Sequence, residues 1–286
     1  MLRISSTTNL HSNYTDDVSE YIRDEILFQK KMGFDAIDFS IHNLLGGHGD
    51  DYPTIVERAL ADAEEQGIKF ELCHLPYGAK VGVPRNELTP FNDHMHKMID
   101  AAALLGVDYA VLHPNTVTVS AIKFDKIKEY DSVMDHLAPF VEHANRVGVN
   151  IVVENMRPVP ENYMVHRYCQ DPDELCGIAD ALGIGVCWDF GHAHIAGLRQ
   201  SEAIGYVGDR LKVLHINDNL AEDDIHLPPF VGGINWHDAM KGLKNVGFAG
   251  LFNFEIATKS IPDGMRESFA RYLLDSSKEL NSYIGE

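Results

Sequence analysis

The chain has 286 residues and a formal net charge of −19, which argues against a large phosphate-neutralising surface and so against a nucleic-acid partner. No apolar stretch reaches transmembrane length, and the start MLRISSTTNLHSNY lacks the apolar core of a signal peptide, so a cytoplasmic protein with no membrane partner is expected. The four cysteines (Cys73, Cys169, Cys176, Cys187) form no Cys-x-x-Cys pair, as expected of reduced, mostly buried thiols.

Strand and helix signals alternate from one end to the other. LRISST reads as strand 1, followed by a helix over residues 16–32 that Gly33 ends. FDAIDFSI is strand 2; a Gly-rich loop, LLGGHGD, leads to a helix across IVERALADAEEQ, stopped by Gly67. KFELCHLP is strand 3, with a helix over residues 92–105 ended by Gly106. DYAVLHP is strand 4, with a long helix running to Arg146 before Gly148. NIVVEN is strand 5; the long loop MRPVPENYMVHRYCQ precedes the helix PDELCGIADAL, where Asp171-Pro172 supplies an N-cap and a first-turn proline. IGVCWDF, RLKVLHIN and GLFNFEI are strands 6, 7 and 8. Glycines stand just past helix ends, where a left-handed residue is needed. No linker or low-complexity run divides the chain. The expectation is one α/β domain over residues 1–286, a (β/α)8 TIM barrel, a class that typically spans about 250 residues.

Six of the apolar runs end on a side chain that a buried strand has no use for. They are FELCHLP (His74), YAVLHP (His113), NIVVENM (Glu154), GVCWDF (Asp189), LKVLHIND (His215) and LFNFEI (Glu255). A strand covered on both faces reads as continuous Val, Ile, Leu and Phe, and a charge or imidazole breaking that run is costly unless paired or metal-bound. Repeated at the C-terminal ends of barrel strands, such residues form a ring at the mouth where these barrels build active sites. Any one alone reads equally well as a polar residue bonded to a loop. Glu154, Asp189, His215 and Glu255 come from four consecutive strands and converge, however, and clustered carboxylates without a cation raise each other's pKa. Three carboxylates and one imidazole suit Mn2+ best, with Mg2+, Co2+ or Zn2+ as other fits.

The motifs VVEN at Glu154, CWDFGHAHIAG at Asp189 and His192, LHINDN at His215, DIHLPPFVGGINW at Asp224 and His226, and FNFEI at Glu255 together resemble the xylose isomerase-like barrels. That superfamily includes sugar isomerases, ketose 3-epimerases and endonuclease IV, and the resemblance covers nearly the whole chain. In its sugar-converting members the residues matching Glu154, Asp189, His215 and Glu255 bind one divalent metal. The two glutamates also act as acid/base groups on opposite faces of the substrate, and the residue matching His192 contacts it. The resemblance therefore implies a metal-dependent isomerase or epimerase working through a metal-stabilised cis-enediolate of a ketose, keto-sugar or related hydroxy-ketone. It implies substrate-binding roles for His74, His113, His192 and His226, with Asp224 supporting them or holding a further metal, and it allows a homo-oligomer.

The same resemblance carries a rival. In endonuclease IV a three-zinc cluster is held by a larger set, matched here by His74, His113, Glu154, Asp189, His192, His215, Asp224, His226 and Glu255. Against a phosphodiesterase on abasic DNA stand the acidity of the chain, the absence of Arg/Lys-rich loops after the early strands, and a loop after strand 5 that is not Gly-rich. A metal-dependent lyase or dehydratase on a keto-sugar or keto-glycoside is a further alternative. The ketose 3-epimerases carry an arginine shortly after the metal-binding histidine, whereas HINDNLAEDDIH has none. Asp224 and His226 are expected to fill that wall instead. A non-catalytic barrel would be marked by loss of a ligand, and all four are present.

Weaker features complete the reading. GGHG at residues 46–49 lacks the Lys and Ser/Thr of a phosphate-binding loop and reads as a loop or lid. His94 and His96 lie two apart on a helix and read as surface residues. His42, His166 and His194 could each line the mouth, but each reads first as an ordinary polar loop residue. Trp188 should alternate away from the site into the core. Tyr14, Trp236 and Phe230 are candidate aromatic walls, and Arg157 and Arg167 candidate anion contacts.

Overall fold

In the computed structural model, residues 2–13, 17–47, 50–78, 85–114, 124–158 and 166–285 are described, with backbone only for 85–88. Eight strands occur among them: β1 (Ile4–Thr7), β2 (Ala36–Phe39), β3 (Phe70–His74), β4 (Tyr109–Leu112), β5 (Ile151–Glu154), β6 (Gly185–Asp189), β7 (Leu211–His215) and β8 (Phe252–Phe254). All pair in parallel in the order β7-β6-β5-β4-β3-β2-β1-β8. The remaining seam, β7 to β8, is closed by a parallel bridge between Ile216 and Phe254, with Ile216 N donating to Asn253 O (2.8 Å) and Glu255 N to Ile216 O (3.2 Å). The sheet is a (β/α)8 barrel.

The helices are α1 (Val18–Met32), α2 (Ile41–Leu45), α3 (Tyr52–Gln66), α4 (Arg85–Leu105), α5 (Lys126–Val147), α6 (Pro172–Leu182), α7 (Phe190–Ile195), α8 (Gln200–Val207), α9 (Trp236–Asn245) and α10 (Arg266–Gly285). Local signals set most of their ends. Asp17 caps α1 by accepting from Glu20 N (3.0 Å), and Gly33, at φ 100°, closes it with its N–H on Gln29 O and Lys30 O. Three differences from the sequence reading stand out. The strands are shorter than the apolar runs: KFELCHLP and RLKVLHIN continue past β3 and β7 into Leu75 and Ile216, which are buried core residues outside the strands. Helix α4 begins at Arg85, ahead of Pro90. Pro90 is exposed near the start of a 21-residue helix, where loss of one hydrogen bond is tolerated. The end of FDAIDFSI is not strand: Ile41 opens α2.

Two-residue alternation divides the strands between two cores. Outward residues such as Phe39, Leu112, Val153, Trp188 and Phe254 pack into the large cluster shared with the helices. Inward, a separate small cluster contains Ala36, Leu72, Val111, Val152, Cys187, Val213 and Leu251, one each from the β2–β8 stretches. Two residues further along each strand, facing the same interior, stand Asp38, His74, His113, Glu154, Asp189, His215 and Asn253. The barrel thus changes from a dry layer to a wholly polar one in a single step.

Candidate metal centre

That polar layer is the floor of a cavity of about 340 Å3 lined by His74, His113, Glu154, His192, Asp224, His226 and Glu255 among others. Asp189 and His215 lie beneath it, both fully buried. One donor atom from each of Glu154, Asp189, His215 and Glu255 can be chosen so that all lie within 4.8 Å of one another. His215 Nδ1 is 3.1 Å from Glu255 Oε2 and 3.4 Å from Glu154 Oε2.

A second group overlaps the first through Glu154: His74, His113 and Glu154 also offer donors within 4.8 Å. His113 Nε2 is 3.1 Å from Glu154 Oε2, and His74 Nε2 is 3.5 Å from it. The ring of His74 is oriented by donation from Nδ1 to Leu75 O (2.8 Å), which leaves Nε2 facing the cluster. On the other side, Asp224 bridges His192 Nε2 (3.3 Å) and His226 Nε2 (3.4 Å). His226 holds a left-handed backbone (φ 45°) and is tied to β8 by Nδ1 donating to Glu255 O (2.8 Å).

Asp189 is fixed by its own local geometry. As N-cap of α7 its Oδ1 accepts from His192 N (2.6 Å), and its Oδ2 accepts from Asn217 Nδ2 (2.7 Å). Asn155 clamps the backbone, accepting from Asp189 N (2.6 Å) and donating to Asp189 O (3.0 Å). These asparagines, each next to or near a predicted ligand, were not singled out in the sequence, although the runs VVEN and HIND carry them.

The electrostatics fit a cation. Burial alone would push Glu154 up, but His215, His113 and His192 hold it well below the usual carboxylate range. Burial opposes a charged His215, yet Cys187, Glu255 and Glu154 outweigh it and raise its pKa well above normal. Glu255 is likewise raised by burial but brought down to about 2, chiefly by His215. Buried carboxylates are drawing positive charge onto imidazoles. Glu154 Oε2 and His215 Nδ1 nonetheless have no hydrogen-bond partner among the described residues. Buried polar atoms are ordinarily satisfied, and an unsatisfied carboxylate oxygen beside an unsatisfied imidazole nitrogen, with hard donors around them, fits a divalent metal.

The remaining expectations fare unevenly. Trp188 is in the core, its Nε1 donating to Gln200 Oε1 (2.9 Å). Trp236 is not a cavity wall: it is buried with Nε1 on Asp218 Oδ2 (3.0 Å), because that carboxylate organises the loop after β7. Phe230 is no wall either; it packs on Trp236 and Tyr283, away from the mouth. Tyr14 lies outside the described residues, as do residues 48–49 of the Gly-rich loop. Among the described residues, the phenyl-type side chain that lines the cavity is that of Tyr77, stacked on His113 (centroids 5.2 Å apart) and edge-on to His74 (5.5 Å). Its signal was proximity, three residues past His74. His94 and His96 are half-buried between helices instead of on the surface, His96 against Phe140 and His143. His166 pairs with Glu174 (2.9 Å) and His194 with Asn219 Oδ1 (2.9 Å); neither lines the cavity, and nor does His42. Arg157 and Arg167 both do.

A sequence profile of the family described as "Xylose isomerase-like TIM barrel" matches residues 28–275. The chain belongs to that family. Among curated relatives it is 27% identical over 206 residues to the uncharacterized protein MJ1311 of Methanocaldococcus jannaschii, covering 65% of this chain and 66% of that one. It is 26% identical over 231 residues to a probable endonuclease 4 of Protochlamydia amoebophila, covering 74% and 79%. The matches to the first three curated relatives span between half and two thirds of those proteins. Among solved structures, a D-tagatose 3-epimerase-like protein superposes with a TM-score of 0.76 at 19% identity, over 99% of this chain and 98% of that one. The 3-keto-D-glucoside 4-epimerase YcjR from E. coli does so at 0.73 and 15%, over 96% and 100%. At these identities the likeness is one of fold. Among the described residues, no helix is long and apolar enough to cross a membrane.

Proposed function

We propose that the protein is a divalent-metal-dependent isomerase or epimerase of a ketose, keto-sugar or related hydroxy-ketone. The observation that carries this reading is the convergence of Glu154, Asp189, His215 and Glu255 within 4.8 Å at the floor of one cavity. These four residues would hold the ion, with Mn2+ the best match to hard oxygen donors plus one nitrogen and Mg2+, Co2+ or Zn2+ also accommodated. When bound, such an ion polarises a substrate carbonyl and acidifies the neighbouring C–H.

The chain's own residues supply the rest. Glu255 is ionised at neutral pH, and its side chain is 22% exposed, so it can accept a proton from a carbon held in the cavity. Glu154, carried by β5 on the other side of His215 from Glu255 and also ionised, can take a proton from the opposite face, and once it has taken a proton from solvent it can return one there. His113, brought down to about 4 by burial, is neutral and offers a hydrogen bond to a hydroxyl. His74, His192 and His226 line the same space and can orient the other hydroxyls, with Asp224 fixing the last two. The missing arginine after His215, and the place Asp224 and His226 take in the wall, favour a substrate other than a simple free ketose. A keto-glycoside, the kind of substrate named for the E. coli neighbour, is one such substrate. A cytoplasmic setting accords with four buried, unpaired cysteines.

A second reading, a multi-zinc phosphodiesterase, is favoured by one observation: the overlapping His74–His113–Glu154 donor group, together with the endonuclease 4 relatives. The net charge of −19 weighs against it. The deciding experiment is incubation in heavy water with a panel of ketoses and keto-glycosides, with and without chelator, beside an abasic DNA duplex. Metal-dependent deuterium uptake is expected. Nicking of the duplex with no uptake in any sugar would overturn the proposal, as would two or three zinc ions per chain combined with that result.

A further inference from the structure

We propose that Arg157 and Arg167 form an oxyanion subsite in the wall of the cavity, so that the substrate is a sugar bearing a carboxylate or a phosphate. The reacting end of that substrate rests on the function proposed above; the subsite itself does not. Both arginines follow Glu154 in the β5–α6 loop, and both line the same cavity as Glu154 and Glu255.

Most arginines whose partners are known sit differently. Arg146, Arg199 and Arg210 are exposed and donate to the carboxylates of Glu142, Glu202 and Asp180 on the protein's surface. Arg157 is largely buried, its side chain 16% exposed. Its Nε is anchored on Asp224 Oδ2 at 2.8 Å, while its Nη1 is buried and has no hydrogen-bond partner among the described residues. A guanidinium held at one edge with a donor unsatisfied at another is preorganised for an acceptor, and its planar fork matches carboxylate and phosphate oxygens.

Charge points the same way. Asp224 does not serve Arg157 alone, since its oxygens also face His192 Nε2 at 3.3 Å and His226 Nε2 at 3.4 Å. Arg167 stands in the same wall, close enough that burial and the charge of Arg157 bring its guanidinium down to about 10. Two cations packed into one low-dielectric wall repel each other, and an anionic ligand group removes that repulsion. The arrangement is also local: it sits in a chain with 43 acidic against 24 basic residues, where no general attraction for anions exists. A small anion entering a lined cavity can use it; an extended polyanion would meet the acidic surface.

The test has a binding arm and a turnover arm, both on the full chain. Calorimetry in the presence of chelator would compare glucuronate, glucose 6-phosphate and glucose. At least one anion should bind ten-fold or more tighter than glucose. Arg157→Gln and Arg167→Gln should each remove most of that difference, and so should raised salt. Arg167→Gln guards against misfolding of Arg157→Gln, which strands Asp224, and a melting curve of each variant checks the fold. With Mn2+ in heavy water, fructuronate or fructose 6-phosphate should exchange with a kcat/KM about 100-fold above fructose, the arginine variants raising KM for the anion far more than for fructose. Which anion wins separates carboxylate from phosphate. Equal binding of charged and neutral sugars, or a preference that survives in both variants, would overturn the subsite and leave the proposed reaction standing. Anion binding that the variants abolish, with no exchange in any sugar, would do the reverse. Tighter binding of an abasic duplex than of either anionic sugar would reassign the arginines to a nucleic-acid backbone and sink the sugar assignment.

Discussion

Glu154 is the side chain on which the mouth of the barrel turns. Its carboxylate lies 3.1–3.5 Å from nitrogens of His74, His113, His192 and His215, and it belongs to both overlapping donor groups. Glu255 touches fewer partners and is open to the cavity. The two glutamates should therefore fail differently. Glu255→Gln is expected to lower exchange by about 10² to 10⁴ while much of the metal is retained, the loss of a positioned base. Glu154→Gln should lose metal and exchange together, since the amide offers one neutral oxygen where an anion met four histidines. Deuterium uptake and metal analysis of each purified variant check this, and near-wild-type exchange in either, with metal bound, would remove the glutamates from their roles. His226→Ala should weaken substrate binding more than stability; a melting temperature many degrees lower with unchanged kinetics would make His226 structural.

Two helices carry the next predictions. In α7, a Cβ on Gly191 would come within 1.9 Å of Asn217 Oδ1 and 2.8 Å of Asn219 Nδ2. Gly191→Ala must therefore displace Asn217, which holds Asp189 Oδ2. The variant should bind metal about ten-fold or more weakly, the usual scale for loss of a residue that orients a ligand. Titration with Mn2+ reads this directly, and unchanged affinity would separate Asn217 from the metal centre. In α5, His136 packs on Phe91 and Phe140, and burial brings its pKa down from 6.5 to about 4. The unfolded chain then binds the extra proton first, so stability falls as pH drops from about 6.5 to about 4. The loss is about 3 kcal/mol at most from this group. His136→Leu should flatten that part of the acid limb in denaturant melts run from pH 7 to pH 4. An unaltered limb would mean that His136 is not a source of acid lability.

The whole molecule concentrates electrostatic cost at one end. A dry layer of seven apolar side chains sits below a polar one, and the barrel has no means of moving the charges apart once the strands are closed. Metal binding should therefore be felt globally. An ion present at about 100 times its dissociation constant adds about 2.7 kcal/mol if the unfolded chain ignores it. At this size that raises Tm by several degrees, and chelator should reverse it. A melting temperature indifferent to Mn2+, Co2+, Zn2+ and chelator would argue that the carboxylates and histidines are a purely structural network.

The eight-strand barrel and the ring of donors at its mouth were written locally. Each strand is a short apolar run whose last inward residue is wrong for a core, and glycines such as Gly33 end helices by backbone geometry alone. Since inward residues recur every second position, Val152 below implies Glu154 above without any knowledge of neighbours. What lines the cavity beyond that ring was legible only in part: Arg157, Arg167, His192, Asp224 and His226 were expected there and do line it, but the aromatic wall was not foreseen. Trp236 and Phe230 read as candidate aromatic walls, but Asp218 gathers the loop around itself and turns both away. Tyr77 comes in from the loop after β3 to stack on His113, and Asn253 reaches Asp38 across 215 residues of chain. These are contacts between segments far apart in sequence, and no periodicity within a segment encodes the angle at which a loop returns. Closure of the barrel sets that angle, and with it the shape and charge of the space above the candidate metal ligands.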